Sequence, residues 1–265
     1  MKKLSLRSLI PNLFTFFSLT LGLTALKFAI DQKWQISVSL IVFASFLDNL
    51  DGKLARLLKT NSNFGIELDS LSDLISFGVT PAIIIYLWSQ SLSIDGVWAM
   101  VIFYAICSSS RLAKFNITSL ESGSSIKKIK FFSGVSTPAA AGLTLLPMMI
   151  NFRFNSNFFV NDFFIKFYLI FPAILMISNI PTYSLKGIKF EKKYLPFLIV
   201  LLASYLSLLL TDFWLAMIIL ISVYYVFPRY SLFVHKFSFV FHSFFKVFNV
   251  FALFFQWVSW FFLVF

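Results

Sequence analysis

Four aspartates hold the chemistry this sequence can offer. Asp48 and Asp51 stand at i and i+3, and Asp69 and Asp73 at i and i+4, inside the window DNLDGKLARLLKTNSNFGIELDSLSD. The whole chain of 265 residues has 11 acidic residues, and five of them fall in this window. Helical phase sorts them, since successive residues turn by about 100° at 3.6 per turn. With Asp48 at zero, Asp51 lies at about −60°, Gly52 at about +40° and Ala55 at about −20°. With Asp69 at zero, Gly65 lies at about −40°, Asp73 at about +40°, Ser72 at about −60° and Ser76 at about −20°. Two carboxylates and small residues therefore share a face on each of two helices. Glu67 falls at about 160°, on the far side, as a solvated or headgroup-facing charge.

The linker KTNSN is short and polar, so the two helices are expected to run antiparallel as neighbours. Small residues on the facing sides would let the backbones approach. Four carboxylates converging at a membrane interface need cations to neutralise them. Oxygen ligands without His or Cys favour Mg2+, Mn2+ or Ca2+ over zinc. Two divalent ions would balance the four charges, and a carboxylate-bound metal pair suits phosphate oxygens. Other uses of such residues are a helix cap, a bridge to lysine, or the ion path of a cation transporter.

The elements that must carry these residues are apolar. Hydrophobic residues make up 59% of the chain and charged residues 12%, with a mean hydropathy of +0.86. A soluble domain has roughly 25% charged residues, so the composition points to a multi-pass, all-α membrane protein. A spanning barrel would instead alternate apolar and polar residues. Candidate spans of about 20 residues are 11–30, 35–58, 64–88, 97–116, 135–151, 160–180, 195–211 and 213–228. MKKLSLRSLI leads into a run long enough to span, without an A-x-A-like cleavage site, so it is expected to be a retained first helix. Cys107 lies in an apolar run and reads as a small buried hydrophobe.

Charge sets the orientation. Lys2, Lys3, Arg7, Lys53, Arg56, Lys59, Lys127, Lys128, Lys130, Lys186, Lys189, Lys192, Lys193 and Arg229 fall at one set of helix ends. Lys27, Lys33, Arg153 and Lys166 fall at the other. The positive-inside rule then makes the N-terminus and the acidic window cytoplasmic. The net charge of +11 reads as juxtamembrane lysines facing anionic lipid, with no dedicated nucleic-acid-binding domain. Residues 231–265 contain 13 Phe, with His235 and His242 seven apart. They suit a ninth span or an interfacial helix, and no metal site, because no carboxylate or Cys accompanies the histidines.

The aspartate window carries a resemblance. Asp48-x2-Asp51-Gly52-x2-Ala55-Arg56-x8-Gly65-x3-Asp69-x3-Asp73 resembles the full signature of the CDP-alcohol phosphotransferase family. The resemblance implies a six-helix core opening to the cytoplasm, two divalent cations (Mg2+ or Mn2+), and a CDP-linked donor from which CMP leaves. Asp48, Asp51 and Asp69 would be metal ligands, and Asp73 both a ligand and the general base. Gly52, Ala55 and Gly65 would make room for the nucleotide, and Arg56 would contact phosphate. Family members are often homodimers.

Three further stretches resemble the phosphatidylserine synthase branch: LDSLSDLISFGVTPA, Arg111-Leu-Ala-Lys114-Phe115-Asn116, and FFSGVSTPAAAG with Thr137 and Pro138. Lys114 replaces the branch's second Arg, and Ser136 stands where Pro is usual. The branch implies transfer of the phosphatidyl group of CDP-diacylglycerol to L-serine in a bacterial-type inner membrane. Glycerol 3-phosphate, inositol or choline are alternative acceptors. Arg111 and Lys114 could serve the serine carboxylate or the donor phosphate, with Asn116 beside them, or could simply anchor a helix end. Pro11-Asn12-x2-Thr15 resembles a family element near the nucleotide, though a Pro-Asn helix start explains it equally. The resemblance covers 8–188 as a catalytic core. A helix pair at 189–230 and the Phe-rich tail at 231–265 would follow, giving two or three extra C-terminal membrane helices.

Overall fold

The computed structural model describes residues 6–58, 63–121, 131–155, 161–178, 181–183 and 195–233. The chain divides into two compact units, Met1–Pro181 and Thr182–Phe265. The expected core boundary at 188, the Lys127–Lys130 cluster and nearly all of the 231–265 tail lie outside the described residues.

The first unit is built from helices α1 (Leu6–Ile30), α2 (Trp34–Leu57), α3 (Asn63–Asp73), α4 (Thr80–Ser91), α5 (Trp98–Glu121), α6 (Thr137–Phe154) and α7 (Asp162–Ile177). Each described helix overlaps one of the apolar runs read from the sequence. Between α3 and α4 the rod does not break. Leu74–Val79 winds as a π-helix, with the Thr80 N–H donating to the Ile75 carbonyl. Two three-residue strands, β1 (Phe131–Ser133) and β2 (Pro181–Tyr183), are the described departures from an all-helical chain. The second unit is a helical pair, α8 (Leu195–Thr211) and α9 (Phe213–Phe233). Asp212 caps α9 by accepting the Leu215 N–H at 3.1 Å, and the Tyr205 hydroxyl donates to the Ala216 carbonyl at 3.2 Å.

Among the described residues, two helical stretches are long and apolar enough to cross a membrane, Ile10–Ile30 and Phe64–Ser91. Polar residues near both ends of α2, among them Gln35, Asp48, Asn49 and Asp51, lower its hydropathy. Helices α7 and α8 have only 16 and 17 residues. Large apolar side chains nevertheless lie outside: Phe17, Phe43, Ile106, Phe163 and Leu210 are all more than half exposed. Apolar groups facing outward at this density are at home in lipid rather than water. The apolar helices fit a membrane-associated protein.

Helix α1 is the spine of the first unit. It packs along α2 and also touches α3, the π turn and α4. Hydroxyl groups stitch these contacts. Ser18 donates to the Ala44 carbonyl at 3.0 Å, Ser37 to Ala25 at 2.8 Å, and Ser72 to Thr15 at 3.2 Å. Small residues allow the closeness. A Cβ at Gly22 would sit 2.5 Å from Ser76 Oγ, and one at Gly78 would sit 3.0 Å from Ser108 Cβ. In apolar surroundings, association rests on such close packing and interhelical hydrogen bonds.

Candidate active site

The end of α2 and the length of α3 bring their carboxylates together. One carboxylate oxygen each from Asp48, Asp51 and Asp69 lies within 4.8 Å of the others. Asp51 is buried, and Asp48 and Asp69 are half-buried. Asp73, one turn beyond Asp69 at the end of α3, lies beside Asp48. Its Oδ1 is buried with no hydrogen-bond partner. Glu67 is exposed, outside the cluster, as helical phase requires.

Two features of this convergence differ from the sequence expectation. Helices α2 and α3 do not press their small residues together; α1 supplies the principal packing against both. A Cβ at Gly52 would meet nothing within 4 Å, so Gly52 borders open space rather than a neighbouring backbone. Gly65 is half-buried on α3. Ala55 and Arg56 lie in α2, and their side chains are outside the described residues.

Thr15, expected beside a nucleotide, is buried and spends its hydroxyl on the cluster. It donates to Asp51 Oδ2 at 2.6 Å, with a longer contact to the Pro11 carbonyl at 3.3 Å. Asn12 is half-buried on the same helix, three residues earlier. The bond to Thr15 orients the Asp51 carboxylate, as the partners of metal-ligating groups do.

On the other flank, α5 brings Arg111. Its Nη1 donates to Thr137 Oγ1, at the buried start of α6, and its charge acts on Asp73. Arg111 and Thr137, far apart in sequence, thus meet beside the aspartates. Pro138 follows Thr137 in the first turn of α6 and is half-buried. Lys114 is exposed. Asn116 ties α5 to α3: its Oδ1 accepts from Ser70 at 2.8 Å, and its Nδ2 donates to Glu67 Oε2 at 3.2 Å. That makes it a brace, and gives the exposed Glu67 a partner that helical phase did not foresee.

Sequence reasoning passed over the hydroxyls of Ser18 and Ser37, and placed Ser72 on the carboxylate face only as a small residue. The signal was present. Hydroxyl residues recurring in otherwise apolar helices mark helix–helix contacts.

The donor set fits a divalent cation. Three hard carboxylate oxygens converge, and the orphaned Asp73 Oδ1 would otherwise remain an unsatisfied buried acceptor.

Residues 8–178 match the family model described as CDP-alcohol phosphatidyltransferase. The chain belongs to that family. It is therefore a transferase, moving a phosphatidyl group derived from CDP-diacylglycerol to a polar acceptor. Curated relatives named CDP-diacylglycerol–serine O-phosphatidyltransferase place it in the serine branch of this phosphatidyltransferase family. The relative from Mycobacterium tuberculosis is 33% identical over 195 residues, covering 74% of this chain and 68% of its own length. The one from Helicobacter pylori is 34% identical over 201 residues, covering 76% of this chain and 81% of its own. A Methanocaldococcus jannaschii relative of the same name is 34% identical over 145 residues, 54% of this chain and 62% of its own.

Proposed function

We propose that this phosphatidyltransferase uses L-serine as acceptor, converting CDP-diacylglycerol to phosphatidylserine and CMP. The carrying observation is the convergence of Asp48, Asp51 and Asp69, with Asp73 beside them and open space at Gly52. The names of the relatives support serine among the polar acceptors.

Asp48, Asp51, Asp69 and Asp73 would hold two divalent cations, Mg2+ or Mn2+. When bound, these ions neutralise charge on the pyrophosphate and so lower the barrier to its cleavage. The chain's own residues do the rest. Asp73 accepts the proton of the serine hydroxyl as its oxygen attacks the phosphorus that carries the diacylglycerol. One O–P bond forms to serine, the bond to the bridging oxygen breaks, and CMP leaves with that electron pair. The signature contains no Ser, Cys or His nucleophile, which favours direct displacement with inversion at phosphorus.

Gly52, Ala55 and Gly65 leave room for the nucleotide, Arg56 contacts phosphate, and Asn12 lines the nucleotide side. Arg111, held by Thr137 and followed by Pro138, offers its guanidinium to the serine carboxylate, a planar pairing that suits Arg. Lys114 adds positive charge, and Asn116 braces that wall. The protein is a polytopic membrane enzyme: a six-helix core over 8–188, a further helix pair at 189–230, and the tail at 231–265. Its N-terminus and active site are cytoplasmic, at headgroup level, where a water-soluble acceptor meets a membrane-bound donor.

The deciding experiment supplies the purified, reconstituted chain with CDP-diacylglycerol and, separately, serine, glycerol 3-phosphate, inositol and choline. CMP release with serine alone is expected. Release with another alcohol and not with serine overturns the acceptor assignment. Metal flux without CMP release would mark a transporter instead.

A further inference from the structure

The helix that carries Asp69 and Asp73 changes its winding immediately after Asp73, and the change has a geometric consequence. An α-helix advances by about 100° per residue. Uninterrupted from Asp69 at zero, Asp73 would lie at about +40°, and the buried residues Ile84, Trp88 and Ile85 at about +60°, +100° and +160°. The carboxylates and the buried face of α4 would then point roughly 90° apart. A rod of that form could turn its apolar residues inward or its aspartates inward, but not both.

The π turn at Leu74–Val79 resolves this conflict. Hydrogen bonds closed i→i+5 accommodate one extra residue, which sets the following helix back by about 100°. The setback nearly cancels the offset, so Asp69, Asp73, Ile84 and Trp88 come to one side of the same rod. Ser76, Phe77 and Gly78 in the turn itself are buried.

A π turn is strained relative to an α-helix and needs outside support. The Tyr104 hydroxyl on α5 donates to the Phe77 carbonyl at 3.2 Å, and Tyr104 is fully buried. Ser76 Oγ donates to the Ser18 carbonyl at 3.4 Å from the opposite flank. Gly22 and Gly78 make the close approaches on either side. We propose that the π turn, pinned by Tyr104 on the Phe77 carbonyl, sets the rotational register that delivers Asp69 and Asp73 to Asp48 and Asp51. Tyr104 is thus a positioning residue, and this inference rests on the reading of the aspartates as a metal-assisted transfer site.

The test uses the full chain, purified and reconstituted, with Mn2+ binding read by electron paramagnetic resonance beside CMP release. Y104F removes one hydroxyl and keeps the ring. Its Mn2+ affinity and kcat are each expected to fall about tenfold, the scale of one lost hydrogen bond. The KM for CDP-diacylglycerol should stay within about twofold, separating a register change from lost donor binding. A second variant deletes Ile75, which removes the extra residue and restores a plain α turn at the same register. Combined with Y104F, the deletion is expected to return Mn2+ affinity to within about threefold of wild type, because no π turn then needs a pin. Y104F with wild-type affinity and kcat overturns the inference, as does a helical, monodisperse deletion variant that no longer binds Mn2+. Wild-type protein that binds Mn2+ but releases CMP with no acceptor defeats the transfer reading instead, and the Mn2+ comparison still judges the register.

Discussion

The Thr15 hydroxyl donates to Asp51 Oδ2 across 2.6 Å, and both residues are buried. This bond joins α1 to the carboxylate cluster and orients the Asp51 carboxylate. A hydrogen bond to a charged group is worth about 1.5–3 kcal/mol, or roughly 10- to 100-fold. Thr15→Val keeps the shape and loses the donor, so CMP release should fall by about that factor. Thr15→Ser should stay within about threefold of wild type. Equal rates for the two variants, measured at saturating substrates, would show that the bond does not matter to the site.

Chelation should stop the reaction. With EDTA present, CMP release is expected to fall to background and to return on adding Mg2+ or Mn2+. Zn2+ should restore it poorly, because the converging donors are carboxylate oxygens without His or Cys. Turnover that persists in rigorously metal-free buffer would refute the metal-assisted reading.

Asp73→Asn tests the base. Loss of a positioned general base lowers rates by about 10²- to 10⁴-fold. Binding of CDP-diacylglycerol, followed by equilibrium titration, should survive largely intact. Near-normal turnover would remove Asp73 from that role.

Gly52 separates stability from activity. It stands in a helix with open space beside it, so Gly52→Ala should raise stability by up to about 1 kcal/mol through helix propensity. If the open space receives the nucleotide, the same change raises the KM for CDP-diacylglycerol, and Gly52→Leu raises it further. A higher melting temperature with unchanged KM would place the nucleotide elsewhere.

Arg111→Lys keeps a charge near Asp73 but loses the planar fork that reaches Thr137. The KM for serine is expected to rise while that for CDP-diacylglycerol holds. A rise in the donor KM alone would move Arg111 to the donor phosphate.

The aspartate set was legible in the sequence because helical phase is a local property. Residues at i, i+3 and i, i+4 share a face wherever the helix goes, so Asp48 with Asp51, Asp69 with Asp73, and the exclusion of Glu67 needed no tertiary information. The apolar runs marked the helices for a similar reason, since hydropathy and length act along the chain. Phase counting failed beyond Asp73. It assumes a constant 3.6 residues per turn, and only packing against Ser18, Ser108 and Tyr104 reveals that Leu74–Val79 winds otherwise.

Tertiary structure also decided what the small residues and hydroxyls do. Sequence could place Gly52 on the carboxylate face, but whether that face meets a backbone or open space depends on where α1 and the π turn sit. Thr15 is 36 residues from Asp51, Arg111 is 26 from Thr137, and Ser70 is 46 from Asn116. No periodicity spans such separations. Each pairing arises because apolar helices in contact must satisfy their few polar groups on one another, and the choice of partner is made by the packing alone.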